Sequence, residues 1–216
     1  MASVRILLGD DHTLVRQGVR KILEEQPDWH IVSEVGDGRE AVRQTLALEP
    51  DVAVLDIGMP LLNGIEATSQ IARRAATTRV LILSMHADEQ YVARALEAGA
   101  TGYLLKDSAD ADLIGGVAAV ATGKSFFSPA VAKLMLTDYR RRLAGKTVVD
   151  RYELLSERER EIFQLVAEGH SNKEVAELLS ISPTTVETHR AHILQKLGVH
   201  NTAELVLYAV RRGVIS

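Results

Sequence analysis

The chain contains no cysteine. That excludes a disulfide scaffold, a cysteine nucleophile and a zinc site built on thiolates, and it agrees with a reducing compartment. Long apolar runs are missing as well. Nothing approaches the roughly 18 consecutive apolar residues that span a bilayer. The start, Met1-Ala2-Ser3-Val4-Arg5, has no apolar stretch of the signal-peptide kind. The expectation is a cytoplasmic protein with no membrane association. An excess of positive charge is also absent. The net charge is −4, and from Arg151 onward eight Lys/Arg face nine Asp/Glu. Contact with a polyanion would therefore need cations focused on one face, helped by dimerisation. What is present is ordinary: 216 residues, 46% hydrophobic and 25% charged. That suffices for a core in each of two domains of roughly 70–140 residues.

The first half alternates short apolar runs with helical patterns. Val4-Arg5-Ile6-Leu7-Leu8, His30-Ile31-Val32-Ser33-Glu34-Val35, Val52-Ala53-Val54-Leu55, Val80-Leu81-Ile82-Leu83 and Gly102-Tyr103-Leu104-Leu105 read as strands. Residues 13–25, 40–48, 65–73, 89–98 and 110–122 read as helices, the fourth ended by Gly99. This alternation predicts βαβ units and a doubly wound, five-stranded parallel sheet over 1–125. The lack of polar alternation within the strands suits burial on both faces. Ser128-Pro129 predicts an N-cap and first helical residue. The helix it opens runs to about residue 143 and carries Arg140-Arg141-Arg142. Polar residues 145–150 complete a linker segment spanning 126–150. After it, over 151–216, only helices are expected: Ser156-Glu157-Arg158-Glu159 and Ser171-Asn172-Lys173-Glu174 are S-x-x-E capping boxes, Ser182-Pro183 opens a third helix, and Asn201 caps a fourth. The second domain is thus all-α, a four-helix bundle.

Ligands of open parallel sheets sit beyond the carboxyl ends of the strands. Here those ends carry Asp10 and Asp11, then Asp56, then Ser84, with Lys106 after the fifth strand. An Asp after a strand often serves only as a helix cap; the combination is what points to a site. Clustered carboxylates need a cation, and an oxygen ligand set completed by water suits Mg²⁺. A carboxylate can act as a nucleophile and become an aspartyl phosphate. Lys106 offers a point charge to a phosphoryl oxygen, and the Ser84 hydroxyl offers a hydrogen bond to another.

Asp10-Asp11-His12, Asp56-Ile57-Gly58-Met59-Pro60 with Asn63-Gly64, Ser84, and Tyr103-Leu104-Leu105-Lys106 resemble the receiver domains of two-component response regulators, a flavodoxin-like fold. The resemblance implies Asp56 as phosphoacceptor, served by a sensor histidine kinase, with Lys106 and Ser84 as its chemical partners. It implies Mg²⁺ held by Asp10, Asp11, Asp56 and the Gly58 carbonyl, and Ser84 with Tyr103 as a switch pair. Many receivers carry proline after the lysine, where this chain has Asp107. A cis bond there would cost about 3 kcal/mol without proline and is not expected. Phosphatases of the haloacid dehalogenase type also use an Asp nucleophile, but their D-x-D acid would fall at position 58, which is Gly. The expectation is therefore a regulator and not an enzyme.

In the second domain, residues 182–197 form the informative helix. Val186, Ile193 and Leu197 should pack inward, with His189 packing near Val186. Thr184, Thr185, Glu187, Thr188 and Ala191 should face a DNA groove, flanked by Arg190, His192 and Lys196. The preceding helix would bring Lys173 to a phosphate. Leu155-Ser156-Glu157-Arg158-Glu159-Arg160-Glu161, Glu168-Gly169-His170-Ser171-Asn172-Lys173-Glu174 and Val186-Glu187-Thr188-His189-Arg190 resemble LuxR-type helix-turn-helix domains. With a receiver in front, the whole chain is similar to NarL/FixJ-family regulators. That resemblance implies a homodimer on double-stranded promoter DNA, with Ala203, Val206, Leu207 and Val210 of the last helix as its seam, and it admits RNA polymerase as a further partner. A regulator worked by partner contacts without phosphorylation is the alternative.

Overall fold

The computed structural model describes residues 3–143 and 151–215. The expected linker stretch 145–150 lies outside them, as do the side chains of Arg140, Arg141 and Arg142. The chain divides into two compact units, one containing residues 3–59 and 63–143 and the other residues 151–215.

The first unit is built on a parallel sheet with the order β2-β1-β3-β4-β5-β6. Its strands are β1 (Val4–Gly9), β2 (Trp29–Val35), β3 (Val52–Leu55), β4 (Arg79–Ser84), β5 (Gly102–Leu105) and β6 (Phe126–Phe127). Its helices are α1 (Thr13–Glu24), α2 (Gly38–Leu48), α3 (Gly64–Arg74), α4 (Glu89–Glu97), α5 (Ala109–Ala121) and α6 (Pro129–Leu143). The sequence reading of five strands is corrected to six: Phe126 and Phe127 pair in parallel with Gly102 and Tyr103. The sheet therefore runs past residue 125, into the stretch assigned to the linker. Two residues carry no periodicity, and pairing at the free edge of β5 decides their state.

The inner strands β1, β3, β4 and β5 form because burial on both faces selects near-continuous apolar runs, whereas the edge strand β2 is buried only at its end residues, Trp29 and Val35. All four residues of β3 are buried, as are the last four of β1. Ile6, Leu8, Val54, Leu81, Leu83 and Leu104 share a core with Leu113, Val117 and Val120 of α5. Each such side chain contributes about 1.5–3 kcal/mol through removal from water. Gly99 takes φ 101 just past α4, as a C′ residue should. The helix α6 does begin at Pro129, but Ser128 is not a side-chain cap. Its hydroxyl is buried with no hydrogen-bond partner among the described residues, and its N–H donates to the Tyr103 carbonyl at 3.3 Å.

The second unit opens with a 3-10 turn, Arg151–Leu154, followed by α7 (Glu157–Ala167), α8 (Asn172–Leu179), α9 (Pro183–Leu197) and α10 (Thr202–Arg211). Every expected N-cap is present. Ser156 with Glu159 and Ser171 with Glu174 form reciprocal capping boxes. Ser182 accepts from the Thr185 N–H, and Asn201 from the Glu204 N–H. Guanidinium groups close two C-termini, where cations are favoured: Arg158 donates to the Leu179 carbonyl at 2.7 Å and Arg151 to that of Leu197 at 3.3 Å. Ile162, Phe163, Val175, Val186, Ile193 and Leu205 centre the core. No helix among the described residues is long and apolar enough to cross a membrane.

Candidate functional site

The connection from β1 leads to β2 on one side of the sheet while β3 lies on the other, so a crevice opens beyond β1 and β3. The predicted residues converge there. The Lys106 ammonium sits 2.8 Å from Asp10 Oδ2 and 3.0 Å from Asp56 Oδ2. Asp10 and Asp56 are buried, while Asp11 is exposed. Neither Asp10 nor Asp11 caps α1. His12 occupies that position without a side-chain cap bond, and its N–H donates to Asp10 Oδ1 at 2.8 Å.

Asp10, Asp11, His12 and Asp56 each bring one donor atom within 4.8 Å of the others. The His12 imidazole, 2.8 Å from Asp11 Oδ1, is the member to which sequence reasoning gives no role; only folding brings it beside Asp56. Three carboxylates stand against one ammonium, and that imbalance, with this donor set, fits a divalent cation. Burial pushes the Asp56 carboxyl above its ordinary range, a rise opposed by the Lys106 charge and reinforced by Asp10. Burial opposes the Lys106 charge too, yet bonds to Asp10 and the nearby Asp56 hold its ammonium above the usual lysine range.

Two sequence details acquire reasons here. Asn63 caps α3 by accepting from the Ile65 and Glu66 N–H groups at 3.1 and 3.0 Å. The following residue has to be glycine, because a Cβ on Gly64 would lie 2.0 Å from the Asp56 carbonyl oxygen. Gly58 lies beside Asp56, where a Cβ would be 3.6 Å from Asp56 Oδ2. Lys106-Asp107 is an ordinary trans bond inside a short 3-10 turn, with no cis peptide among the described residues.

Ser84 and Tyr103 are both fully buried and meet on the main chain of His86. Its N–H donates to Ser84 Oγ at 3.1 Å, and its carbonyl accepts from the Tyr103 hydroxyl at 2.7 Å. Burial raises the Tyr103 phenol further above its ordinary range. The His86 ring stacks on Tyr91 of α4, centroids 4.3 Å apart.

In the second unit, α9 divides as its pattern predicts. Val186, Ile193 and Leu197 are buried, whereas Thr184, Thr185, Glu187, Thr188, Ala191 and His192 are exposed. His189 has a buried Nδ1 without a hydrogen-bond partner among the described residues. Lys173 is exposed at the start of α8. Two expected phosphate contacts are already engaged. Arg190 bonds Asn172 Oδ1 at 2.7 Å and Thr202 Oγ1 at 2.8 Å, and Lys196 bonds Glu159 Oε2 at 2.6 Å. On α10, Leu205 and Ala209 face the core, Val206 is half-buried, and Ala203, Leu207 and Val210 are exposed.

A parallel sheet with an Asp–Lys cluster at its carboxyl edge, joined in one chain to a helix-turn-helix, defines a response regulator. Comparison with known proteins agrees across both units. The response regulator receiver domain matches residues 6–118, and the bacterial regulatory proteins of the luxR family match residues 153–209. The transcriptional regulatory protein DegU of Brevibacillus brevis is 39% identical, over 98% of this chain and 94% of its own. The oxygen regulatory protein NreC of Staphylococcus carnosus is 37% identical, over 98% and 99%. A solved structure of two RcsB dimers bound to two parallel DNAs superposes with a TM-score of 0.59 at 27% identity, covering 96% of this chain and 98% of that one. The chain belongs to the NarL/FixJ family of two-component response regulators, with a receiver followed by a LuxR-type DNA-binding domain.

Proposed function

We propose that Asp56 is the phosphoacceptor, charged by a sensor histidine kinase, and that its phosphorylation promotes dimerisation and tighter binding to double-stranded DNA. The observation that carries this reading is the Lys106 ammonium held between the Asp10 and Asp56 carboxylates. Mg²⁺ would be held by Asp10, Asp11, Asp56 and the Gly58 carbonyl; when bound, it offsets negative charge on the incoming phosphoryl group. An Asp56 carboxylate oxygen attacks phosphorus. The O–P bond forms as the P–N bond of the donor phosphohistidine breaks, and the imidazole leaves with the bonding pair and takes up a proton. Lys106 pairs with one phosphoryl oxygen, and the Ser84 hydroxyl donates to another. Drawing Ser84 toward the phosphate disturbs its bond from His86, and with it the His86 carbonyl that holds the Tyr103 hydroxyl. A local charge event thereby reaches α4 through His86 and Tyr91.

Intact-protein mass after incubation with Mg²⁺ and acetyl phosphate tests this. Wild type should gain one phosphoryl mass and Asp56→Asn none. An equal gain in both would place the phosphoryl elsewhere, and operator binding by Asp56→Asn as tight as by phosphorylated wild type would end the switching part of the reading.

The outward side chains of α9, from Thr184 to His192, would read the groove, while Lys173 meets a phosphate at the positive N-terminus of α8. Lys173→Ala should weaken binding alike on every duplex and reduce the salt slope by about 0.9 for the one phosphate released. Loss confined to a single base position would contradict that role. The exposed Ala203, Leu207 and Val210, with Val206, would supply the dimer seam. The proposed setting is cytoplasmic.

A further inference from the structure

The flank of α9 is where a phosphate contact is expected of Arg190, but its guanidinium is already bound on two sides. One nitrogen donates to Asn172 Oδ1 at 2.7 Å and another to Thr202 Oγ1 at 2.8 Å. Asn172 is the first residue of α8, and Thr202 the first of α10. Arg190 lies in the middle of α9 and is half-buried. A single planar fork therefore ties three helices together. The helix N-terminus beside Lys173, the helix that carries the groove-facing threonines, and the helix that bears exposed Leu207 and Val210 all meet at it. A planar guanidinium presents several donors in fixed directions, and a lysine ammonium cannot reproduce that span.

We propose that Arg190 is a positioning residue and not a DNA contact. It braces the first turns of α8 and α10 against α9, so that the phosphate-gripping end and the α10 face move as one body. The consequence is a coupling: what orders α10, such as a second copy seated on it, also steadies the Lys173 end of α8. This rests on the proposed DNA-binding role of the unit and says how that role is held in shape.

The two roles for Arg190 part on salt dependence and on its partners. A phosphate contact adds about 0.9 to the salt slope, and its loss removes that amount. A brace changes affinity and leaves the slope alone. The experiment uses the full chain and a duplex selected by wild type from a random-sequence pool, with affinity measured across a salt series for Arg190→Ala, Arg190→Lys, Asn172→Ala and Thr202→Val. As a brace, Arg190→Ala should lose about tenfold in affinity at an unchanged slope. Arg190→Lys should lose nearly as much despite keeping its charge. Thr202→Val and Asn172→Ala should each reproduce part of the loss, and Thr202→Val should add little once Arg190→Ala is present, as residues of one network do. A slope lowered by about 0.9 in Arg190→Ala, with wild-type binding by Arg190→Lys and Thr202→Val, would overturn the proposal. If Arg190→Ala proves unfolded by circular dichroism, the Lys and Val variants decide, since each removes less. A wild-type chain that enriches no sequence from the pool would instead defeat the DNA-binding reading itself.

Discussion

Replacing Gly64 with alanine should destabilise the receiver by about 3 kcal/mol or more and abolish phosphoryl uptake with it. The added Cβ would lie 2.0 Å from the Asp56 carbonyl oxygen and 2.8 Å from its carbonyl carbon. Both are backbone atoms, so no side chain can swing aside. The Gly64 N–H also donates to the Ile57 carbonyl at 2.9 Å, which pins the start of α3 to the residue after Asp56. Relief requires either α3 or the end of β3 to move, and either shift disturbs the backbone on which the Asp56 carboxylate is held 3.0 Å from Lys106. Gly18 makes the control: it is exposed within α1, and a Cβ there would meet nothing within 4 Å. Gly18→Ala should stabilise the same unit by about 0.5–1 kcal/mol, through lower entropy of the unfolded chain and better helix propensity. The chain's single tryptophan, Trp29, is buried in β2, so its fluorescence in a urea titration follows the receiver. The two substitutions should move the midpoint in opposite directions. An unshifted midpoint for Gly64→Ala would show that the close approach is easily relaxed.

The contrast between those glycines marks what a sequence can show. Asn63-Gly64 is readable as a motif, but the reason for the glycine is a contact across the chain with Asp56, which no local pattern contains. Strands β1, β3, β4 and β5 are legible because burial on both faces writes a near-continuous apolar run for each, whereas β2, at the sheet edge and buried only at Trp29 and Val35, is mixed in polarity. The acidic edge is legible because strand ends in a parallel sheet fall on one side, so Asp10, Asp56, Ser84 and Lys106 come together from topology alone. Phe126–Phe127 is not legible as a strand, being two residues whose state is set by the free edge beside them. His12 sits in a recognisable motif, yet its place beside Asp56 is purely spatial. In the second unit the caps are legible, since a capping box is local to four residues. The engagements of Arg190 and Lys196 are hidden because their partners lie 12 to 37 residues away in sequence. A cation on the flank of a recognition helix looks the same in sequence whether it faces a phosphate or a buried carboxylate.

Removing the Glu159 side chain should cost the DNA-binding unit about 2–3 kcal/mol, and part of that loss should vanish in acid. Glu159 is buried although it begins as a capping residue. Its Oε2 accepts from the Ser156 N–H at 2.7 Å and from the Lys196 ammonium at 2.6 Å. Lys196 remains 38% exposed, so water screens the pair and the expected loss falls below that of a fully buried one. Burial alone would push the Glu159 carboxyl up, but the bonds from Lys196 and Ser156 outweigh it and hold it below the ordinary range. A carboxyl with a lowered native pKa stabilises the fold above its unfolded value, near 4.5. That contribution fades as pH falls through the native value. Two variants separate the terms. Glu159→Gln keeps a group able to complete the capping box and loses the charge, whereas Glu159→Ala loses both. Hydrogen exchange of α7 and α9, corrected for intrinsic rates, should rank wild type above Glu159→Gln above Glu159→Ala at neutral pH. As pH falls from 4.5 through the lowered native value, the gap between wild type and Glu159→Gln should narrow, because the wild-type carboxyl takes up its proton there. The gap between Glu159→Gln and Glu159→Ala should persist, because the capping bond carries no titrating charge. A wild-type advantage over Glu159→Gln that stayed constant through that fall would mean the carboxylate acts by shape and hydrogen bonding alone. Lys196 would then be free to leave Glu159 for a DNA phosphate at little cost.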